Sequence, residues 1–334
     1  MGCCCSGGEE SAPLLSHHGH YIKDRNRDEF MKELRTSGVL EDIEIMVGID
    51  ATRSNEMNGA YTFGGRSLHD VNCGGRENPY ALAMKFSTKF LQKDIHGEVP
   101  LYYFGSEQAN EKGGVLFVAE CKGAAELQRT YIQTIGQQTL SGPTLFIHLI
   151  DEALRRVKQT GKFHVLLILT DGMVQEEEQH YQVLNQASKF PLSIVCIGVG
   201  DGPWDEMRRF DHKIPRGRVF DNFHFVSFTE IMSKDERTER IEEEFFFRGF
   251  MKIPHQYHDV KKHLKYKQTI GRHLHDEGHV EEAIEHHVEH LNNGSHPARQ
   301  LSAPVTQQYQ PIQYQHQPQL QHQLQQGHAP PPYQ

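Results

Sequence analysis

The sequence predicts an α/β fold: a doubly wound, mostly parallel sheet with helices on both faces. Two fully apolar runs, FHVLLILTDG and LSIVCIGVG, have the composition of strands buried on both sides. Such runs alternate along the chain with segments whose apolar residues recur at helical spacing, the order that builds a parallel sheet. Two of the runs end abruptly in acidic residues, Asp50 and Asp171. In a parallel α/β sheet the strand ends converge on the crevice where ligands bind.

Taken in order, EFMKELRTSGV is a short helix feeding the first strand, EDIEIMVGID. The Gly- and Asn-rich stretch 51–79 is a long loop, and loops of that length in compact domains carry function or mobility. Pro79 opens the helix YALAMKFSTKFLQKD, as Pro near the first helical position does. VPLYYFG is the second strand, and no strand is assigned between it and the helix AAELQRTYIQTIG. LSGPT is a loop that opens the amphipathic helix TLFIHLIDEALRRVKQ. Between the two apolar strands lies EEEQHYQVLNQASKF, a helix with acidic residues in its first turn. PWDEMRRFD is a short helix and FHFVSF the last strand. A final helix then docks Phe245, Phe246, Phe250 and Met251 on the domain, with Pro254 expected to stop it.

This pattern divides the chain into a polar leader (1–27), one α/β domain (28–258), a charged His-rich helical extension (259–293) and a Gln/His/Pro tail (294–334). The tail is nearly uncharged and has no core-forming residues, the composition of a disordered segment. A hydrophobic content of 37% supports a real core, while a mean hydropathy of -0.63 marks much of the chain as solvated. The net charge of -9 excludes the basic face that nucleic acid requires and opposes electrostatic attraction to anionic lipid. No apolar run approaches the ~20 residues that span a bilayer, and the N-terminus has no apolar secretory signal. Cys73, Cys121 and Cys196 are far apart and lack zinc spacing.

Asp50, Thr52 and Ser54 fall within IMVGIDATRSNE, Thr144 within LSGPT, and Asp171 within HVLLILTDG. Brought together at the strand ends, these two carboxylates and three hydroxyls make an all-oxygen site. Such donors suit hard divalent cations, Mg²⁺ or Mn²⁺. The alternative is that the acids are ordinary strand-end residues and the hydroxyls cap turns.

D-x-T-x-S, a distant Thr and a later Asp resemble the metal-ion-dependent adhesion site of von Willebrand A domains. ENPYALAMKF, LSGPTLF, LSIVCIGVGDGPWDEMRRFD and FDNFHFVSFTEIM resemble the copine type of that domain, and in particular its form in plant copine-like RING ubiquitin ligases. The resemblance covers roughly residues 28–258. It implies a Rossmann-like fold, a Mg²⁺ or Mn²⁺ site at Asp50, Thr52, Ser54, Thr144 and Asp171, and a partner protein whose acidic residue completes the metal shell. Thr52 stands where many von Willebrand A domains have Ser, and it keeps the oxygen. Copines carry two C2 domains before this domain, and only a short leader precedes it here, so calcium-triggered lipid binding is not expected to carry over. A RING needs about eight Cys and His ligands, and no cysteine follows Cys196. The chain is therefore expected not to be a ligase itself, but an adaptor or a ubiquitin-pathway component that works with a ligase supplied in trans.

Other motifs lie outside that domain. Met1, Gly2 and Ser6 meet the pattern for N-myristoylation of Gly2. One myristoyl chain binds membrane only marginally, with K about 10⁴ M⁻¹, and Cys3, Cys4 and Cys5 are adjacent palmitoylation candidates. Dual acylation predicts attachment to the cytoplasmic face of a membrane, the plasma membrane in particular, with a cytosolic or nuclear pool. At the far end Pro330, Pro331 and Tyr333 fit the P-P-x-Y ligand of WW domains, which occur in HECT-class ubiquitin ligases. His275 and His279 share a helix spacing but lack the Glu that follows the first His in a zinc protease, so a solvated helix face is expected. GVGDGPW does not fit G-x-G-x-x-G, because Pro203 occupies the last glycine position, and Trp204 is expected to pack that loop onto the domain.

Overall fold

The structure, a computed structural model, describes residues 27–89, 97–172, 174–212, 217–233 and 237–263. Gly2 and Cys3–Cys5, the His-rich extension from 264 onward, and Pro330, Pro331 and Tyr333 lie outside the described residues.

Two short helices, α1 (Arg27–Thr36) and α2 (Val39–Asp42), lead into β1 (Ile43–Asp50). There follow α3 (Pro79–Lys89), β2 (Val99–Phe104), α4 (Glu107–Glu111), β3 (Val115–Cys121), α5 (Ala124–Thr134) and α6 (Ile147–Thr160). The second half is β4 (Phe163–Thr170), α7 (Glu177–Ala187), β5 (Leu192–Gly198), α8 (Asp205–His212), β6 (Phe223–Ser227), α9 (Phe228–Met232) and α10 (Thr238–Phe250). Strand order is β3-β2-β1-β4-β5-β6. All neighbours are parallel except β2 and β3.

Strand side chains alternate between faces, so a strand buried on both sides serves two cores. Ile45, Val47 and Ile49 of β1, with Val165, Leu167 and Leu169 of β4, face one core that also holds Phe86 of α3, Tyr131 of α5 and Phe245 of α10. Met46, Leu166 and Ile168 face the other, filled by Leu149 and Ile150 of α6, Leu184 of α7 and Phe210 of α8. The β1–β2 crossover helix thus lies on one face, and the β4–β5 and β5–β6 helices on the other. Chain progression reverses between β1 and β4, which makes their C-terminal ends the topological switch point, the place where such sheets open a crevice.

Two expectations are corrected. The sheet has an extra strand, β3, on its antiparallel edge. Its residues are mostly half-buried and Phe117 is exposed, so it lacks the fully apolar signature of the central strands. Pro254 does not end the helical region. After a turn at 251–252 the chain is helical again over 253–263, and Pro254 stands in the first turn, where its missing N–H costs nothing. Tyr257 and Val260 of that segment are buried, and the Tyr257 hydroxyl donates to Asp42 Oδ2 at 3.0 Å.

The C-terminal helices are also held by charge. Lys252 Nζ donates to Asp211 Oδ1 at 2.7 Å and to Asp221 Oδ2 at 2.8 Å, and all three side chains are largely shielded from water. Burial alone would push the Asp211 carboxyl up, but His224 and then Lys252 override it and hold that carboxyl well below the usual range. A carboxyl depressed in the fold contributes stability that is present above its unfolded value, about 3.9, and is lost as pH falls through the folded value. The chain is therefore expected to become progressively less stable below about pH 4. Breaking the buried pair with Lys252→Met is expected to cost about 3–5 kcal/mol at neutral pH. Urea unfolding across pH checks both, and an unchanged midpoint in the variant would refute the role given to the pair.

Candidate metal centre

The switch point brings two acids from different strands to one place. β1 ends at Asp50 and β4 at Thr170, followed directly by Asp171. Asp50 Oδ1 accepts the backbone N–H of Thr52 at 2.9 Å and its hydroxyl at 2.6 Å. Asp50 Oδ2 accepts the Thr170 hydroxyl at 2.6 Å. Ser54, in the 3₁₀ turn Arg53–Glu56, donates its hydroxyl to Asp171 Oδ1 at 3.0 Å. The Thr52 and Ser54 oxygens are 2.9 Å apart. Two hydroxyls thus link the two carboxylates. Gly105 permits the close approach of the β2–α4 turn to Thr52. Its φ is +77°, and a Cβ there would lie 2.2 Å from Thr52 Cγ2.

Thr144 is placed differently. It is buried, and its carbonyl accepts the N–H of Gln175 at 3.1 Å, while the carbonyl of Ser141, earlier in the same loop, accepts the N–H of Arg53 at 2.7 Å. Phe146 N–H donates to His180 Nε2 at 3.0 Å. Backbone bonds therefore fix this loop against both the Thr52 turn and the segment after Asp171. Among the described residues no hydrogen bond joins the Thr144 hydroxyl to the other four site residues.

Several site residues escape sequence reasoning. Thr170 was not singled out, although a polar residue closing an apolar run is a signal that could have found it. Nor was Asn58, whose Nδ2 donates to Asp171 Oδ2 at 3.0 Å and to the Asp171 carbonyl at 3.2 Å. Asn55 donates to the Thr52 carbonyl at 3.0 Å and accepts the Tyr80 hydroxyl at 2.7 Å. His69 Nε2 lies 2.7 Å from the Asp50 carbonyl. A carbonyl only accepts, so Nε2 carries the proton and Nδ1 accepts from the Tyr131 hydroxyl at 2.8 Å. Burial pushes this imidazole down to about 4 and keeps it neutral.

The electrostatics test whether a cation fits. Asp50 and Asp171 are both buried, and among the described residues no lysine or arginine hydrogen-bonds or ion-pairs with either. Burial pushes Asp50 up, against the hydrogen bonds from Thr170 and Thr52. Burial, and then the charge of Asp50, push Asp171 up to about 8. The hydroxyl protons agree. With both acids ionised, Thr52 donates to Asp50 and Ser54 to Asp171, which leaves no proton between two oxygens 2.9 Å apart. Either a proton on Asp171 or a cation among these oxygens relieves that arrangement. No three His, Cys, Asp or Glu side chains converge among the described residues. The donors are two acids and neutral hydroxyls, a set that fits Mg²⁺ or Mn²⁺.

Two buried carboxylates without a counter-charge destabilise the fold. Asp171→Asn keeps the side-chain shape and removes the cost of burying that carboxyl, which burial and Asp50 push up to about 8. It is expected to raise the melting temperature in EDTA and to abolish any rise on adding Mg²⁺, whereas a wild type that binds the cation would gain about 2.7 kcal/mol at a hundredfold excess over Kd. Scanning calorimetry of both proteins in EDTA and in Mg²⁺ checks this, and a variant less stable in EDTA would contradict the electrostatic account.

Comparison with known proteins identifies the family. The chain is 41% identical over 271 residues to the E3 ubiquitin-protein ligase RGLG5 of Arabidopsis thaliana, covering 75% of this chain and 62% of that one. It is 38% identical to RGLG3 of the same plant, covering 71% of this chain and 69% of that one. Similarity to Copine family protein 2 of Caenorhabditis elegans is 37%, over 70% of this chain and 3% of that one. Against RGLG5, RGLG2 and RGLG1 the chain spans 62%, 57% and 47% of the relative's length. Among solved structures, manganese-loaded Plasmodium vivax TRAP protein aligns with a TM-score of 0.40 at 14% identity, over 62% of this chain and 74% of that one. A von Willebrand factor type A protein from Catenulispora acidiphila aligns with a TM-score of 0.37 at 13% identity, over 66% and 42%. Strand order and polarity, rather than these distant alignments, define the α/β fold. The copine family model matches residues 67–269, and the chain belongs to the copine family.

Proposed function

We propose that the protein is a membrane-tethered intracellular adaptor that captures an acidic segment of a partner protein at a divalent cation. The supporting observation is the pair of buried, uncompensated carboxylates, Asp50 and Asp171, joined through the hydroxyls of Thr52 and Ser54. Asp50, Thr52, Ser54, Thr144 and Asp171 would hold Mg²⁺ or Mn²⁺, directly or through water. Bound there among mostly neutral ligands, the cation supplies a Lewis-acidic position for a carboxylate. The chain's own residues do the rest. Thr170 and Asn58 fix the two acids, His69 anchors the end of β1, and backbone bonds hold the Thr144 loop. Gly2, with Cys3, Cys4 and Cys5, would carry the acyl chains that place the adaptor on the cytoplasmic face of a membrane. Pro330, Pro331 and Tyr333 would recruit a WW-domain protein, such as a HECT-class ligase.

A second reading, a ubiquitin-pathway component acting with a ligase supplied in trans, is favoured by identity of about 40% to plant proteins named as E3 ubiquitin-protein ligases. A ubiquitination assay with E1, E2 and the purified full-length chain tests both: each expects no ubiquitin chains without an added ligase, and chains formed without one would overturn the expectation that the chain is not itself a ligase. With a ligase added, only the second reading requires that the chain raise ubiquitination of its captured partners.

Affinity capture from cell extract on the full-length protein, in Mg²⁺ and in EDTA, tests the metal-bridged reading. Partners held in Mg²⁺ are expected to be lost both in EDTA and with Ser54→Ala. The same partners under every condition would reject it. Gly2→Ala is expected to move the protein from the membrane fraction to the soluble fraction, and a variant that stays membrane-bound would reject acylation as the tether.

A further inference from the structure

The glycine-rich segment after β5, unsuited to nucleotide, has another use. The Asp201 carboxylate accepts three hydrogen bonds from one turn. They come from the N–H of Tyr61 at 2.9 Å, the N–H of Thr62 at 2.9 Å and the Thr62 hydroxyl at 2.6 Å. Asp201 N–H in turn donates to the Asn58 carbonyl at 2.8 Å. Gly200 allows this approach. Its φ is +92°, and a Cβ there would lie 2.6 Å from the Asn58 carbonyl oxygen. On its other side the turn is tied to the candidate metal centre. The N–H groups of Met57 and Asn58 both donate to the Ser54 carbonyl, at 2.9 and 3.0 Å, and the Asn58 side chain holds Asp171.

What this clamp presents is apolar. Tyr61 is 92% exposed and Met57 78%, the two most exposed large apolar side chains among the described residues. Exposed apolar groups held on a rigid turn lose little conformational freedom on binding. Tyr and Met are also residue types enriched at protein interfaces, and Met adapts its shape to its contact. They follow Ser54 by three and seven residues, on the bonded turn that also carries Asn58, whose side chain holds Asp171.

We propose that Met57 and Tyr61 form a recognition ledge beside the metal centre, clamped by Asp201. Its occupant is a protein segment in which the acidic residue that reaches the centre is flanked by apolar side chains. This rests on the metal-bridged reading and adds to it the partner's sequence chemistry. A purely acidic segment leaves the ledge in water, and a purely apolar one leaves the centre without its carboxylate.

The test is selection of a random displayed-peptide library on the full-length protein, in Mg²⁺ and in EDTA. Fluorescence anisotropy of the best Mg²⁺-selected peptide follows, on wild type, on the double variant Met57→Ser/Tyr61→Ser, and on Asp201→Ala. Both side chains of the double variant are exposed, so it is expected to keep the wild-type melting temperature. Peptides enriched only in Mg²⁺ are expected to pair Asp or Glu with an apolar residue within a few positions. Their binding is expected to weaken at least tenfold in the double variant, and to weaken also in Asp201→Ala, which retains both apolar side chains but not the clamp. Mg²⁺-dependent peptides that are acidic without apolar neighbours, or that bind the double variant as tightly as wild type, overturn the ledge and leave the metal reading intact. Apolar peptides that bind equally in EDTA and are lost in the double variant overturn the metal reading and, with it, the paired recognition. No enrichment in either condition overturns both.

Discussion

Two buried carboxylates that share no positive side chain among the described residues are the constraint around which the rest of the domain is arranged. The sheet reverses its order between β1 and β4, so the ends of its two central strands, and with them Asp50 and Asp171, cannot avoid one another. In a low-dielectric interior, like charges in proximity are costly, and unpaired polar groups nearly as much so. Neutral donors surround both acids: Thr170 and Thr52 on Asp50, Ser54 and Asn58 on Asp171. These bonds moderate the charge without cancelling it. A helix-covered sheet with a core on each face is rigid enough to hold such an arrangement in place, and what remains is a standing demand for a cation or a proton.

How much of this could be read from sequence followed from how local each signal was. The central strands were legible because burial on both faces makes them continuously apolar, and the acids that end them break that run. The D-x-T-x-S spacing was legible because Asp50, Thr52 and Ser54 are near neighbours in the chain as well as in space. β3 was not, since a half-buried edge strand has no such signature. Pro254 misled because the same residue that ends one helix can begin another. Asn58 and His69 stayed hidden for a different reason. Their contacts with Asp171 and Asp50 span 113 and 19 residues and depend on a loop path that local pattern does not encode. Thr144 shows the converse. Its type and context pointed to the site, and the fold fixes its loop there through backbone bonds.

The long loop after β1 and the glycine-rich segment after β5 explain one another. Read singly, the first looks like a mobile excursion and the second like an imperfect phosphate loop. Together they make one structure, because Asp201 bonds to the turn that follows Ser54 and Gly200 packs closely against it. Glycine here serves close packing of backbone on backbone. Trp204 secures the other end of the segment by packing on Phe225, their ring centroids 5.6 Å apart. The result is a loop whose exposed side chains sit on a backbone tied down by hydrogen bonds, an arrangement suited to recognition.

The titratable groups around the centre are committed to position. His69 uses Nε2 on the Asp50 carbonyl and Nδ1 on Tyr131, and burial keeps its imidazole near 4. His180 donates from Nδ1 to the Glu176 carbonyl and accepts the Phe146 N–H at Nε2, and it too is pushed down to about 4 by burial. A general base needs a free lone pair within reach of the proton it takes, and a protonation equilibrium near working pH. Each of these imidazoles has both nitrogens in structural bonds and a protonation equilibrium well below neutrality. They brace the end of β1 at Asp50 and the loop that carries Thr144 through bonds already made. Neither imidazole is therefore free to carry a proton at this centre; both hold the residues around it in place.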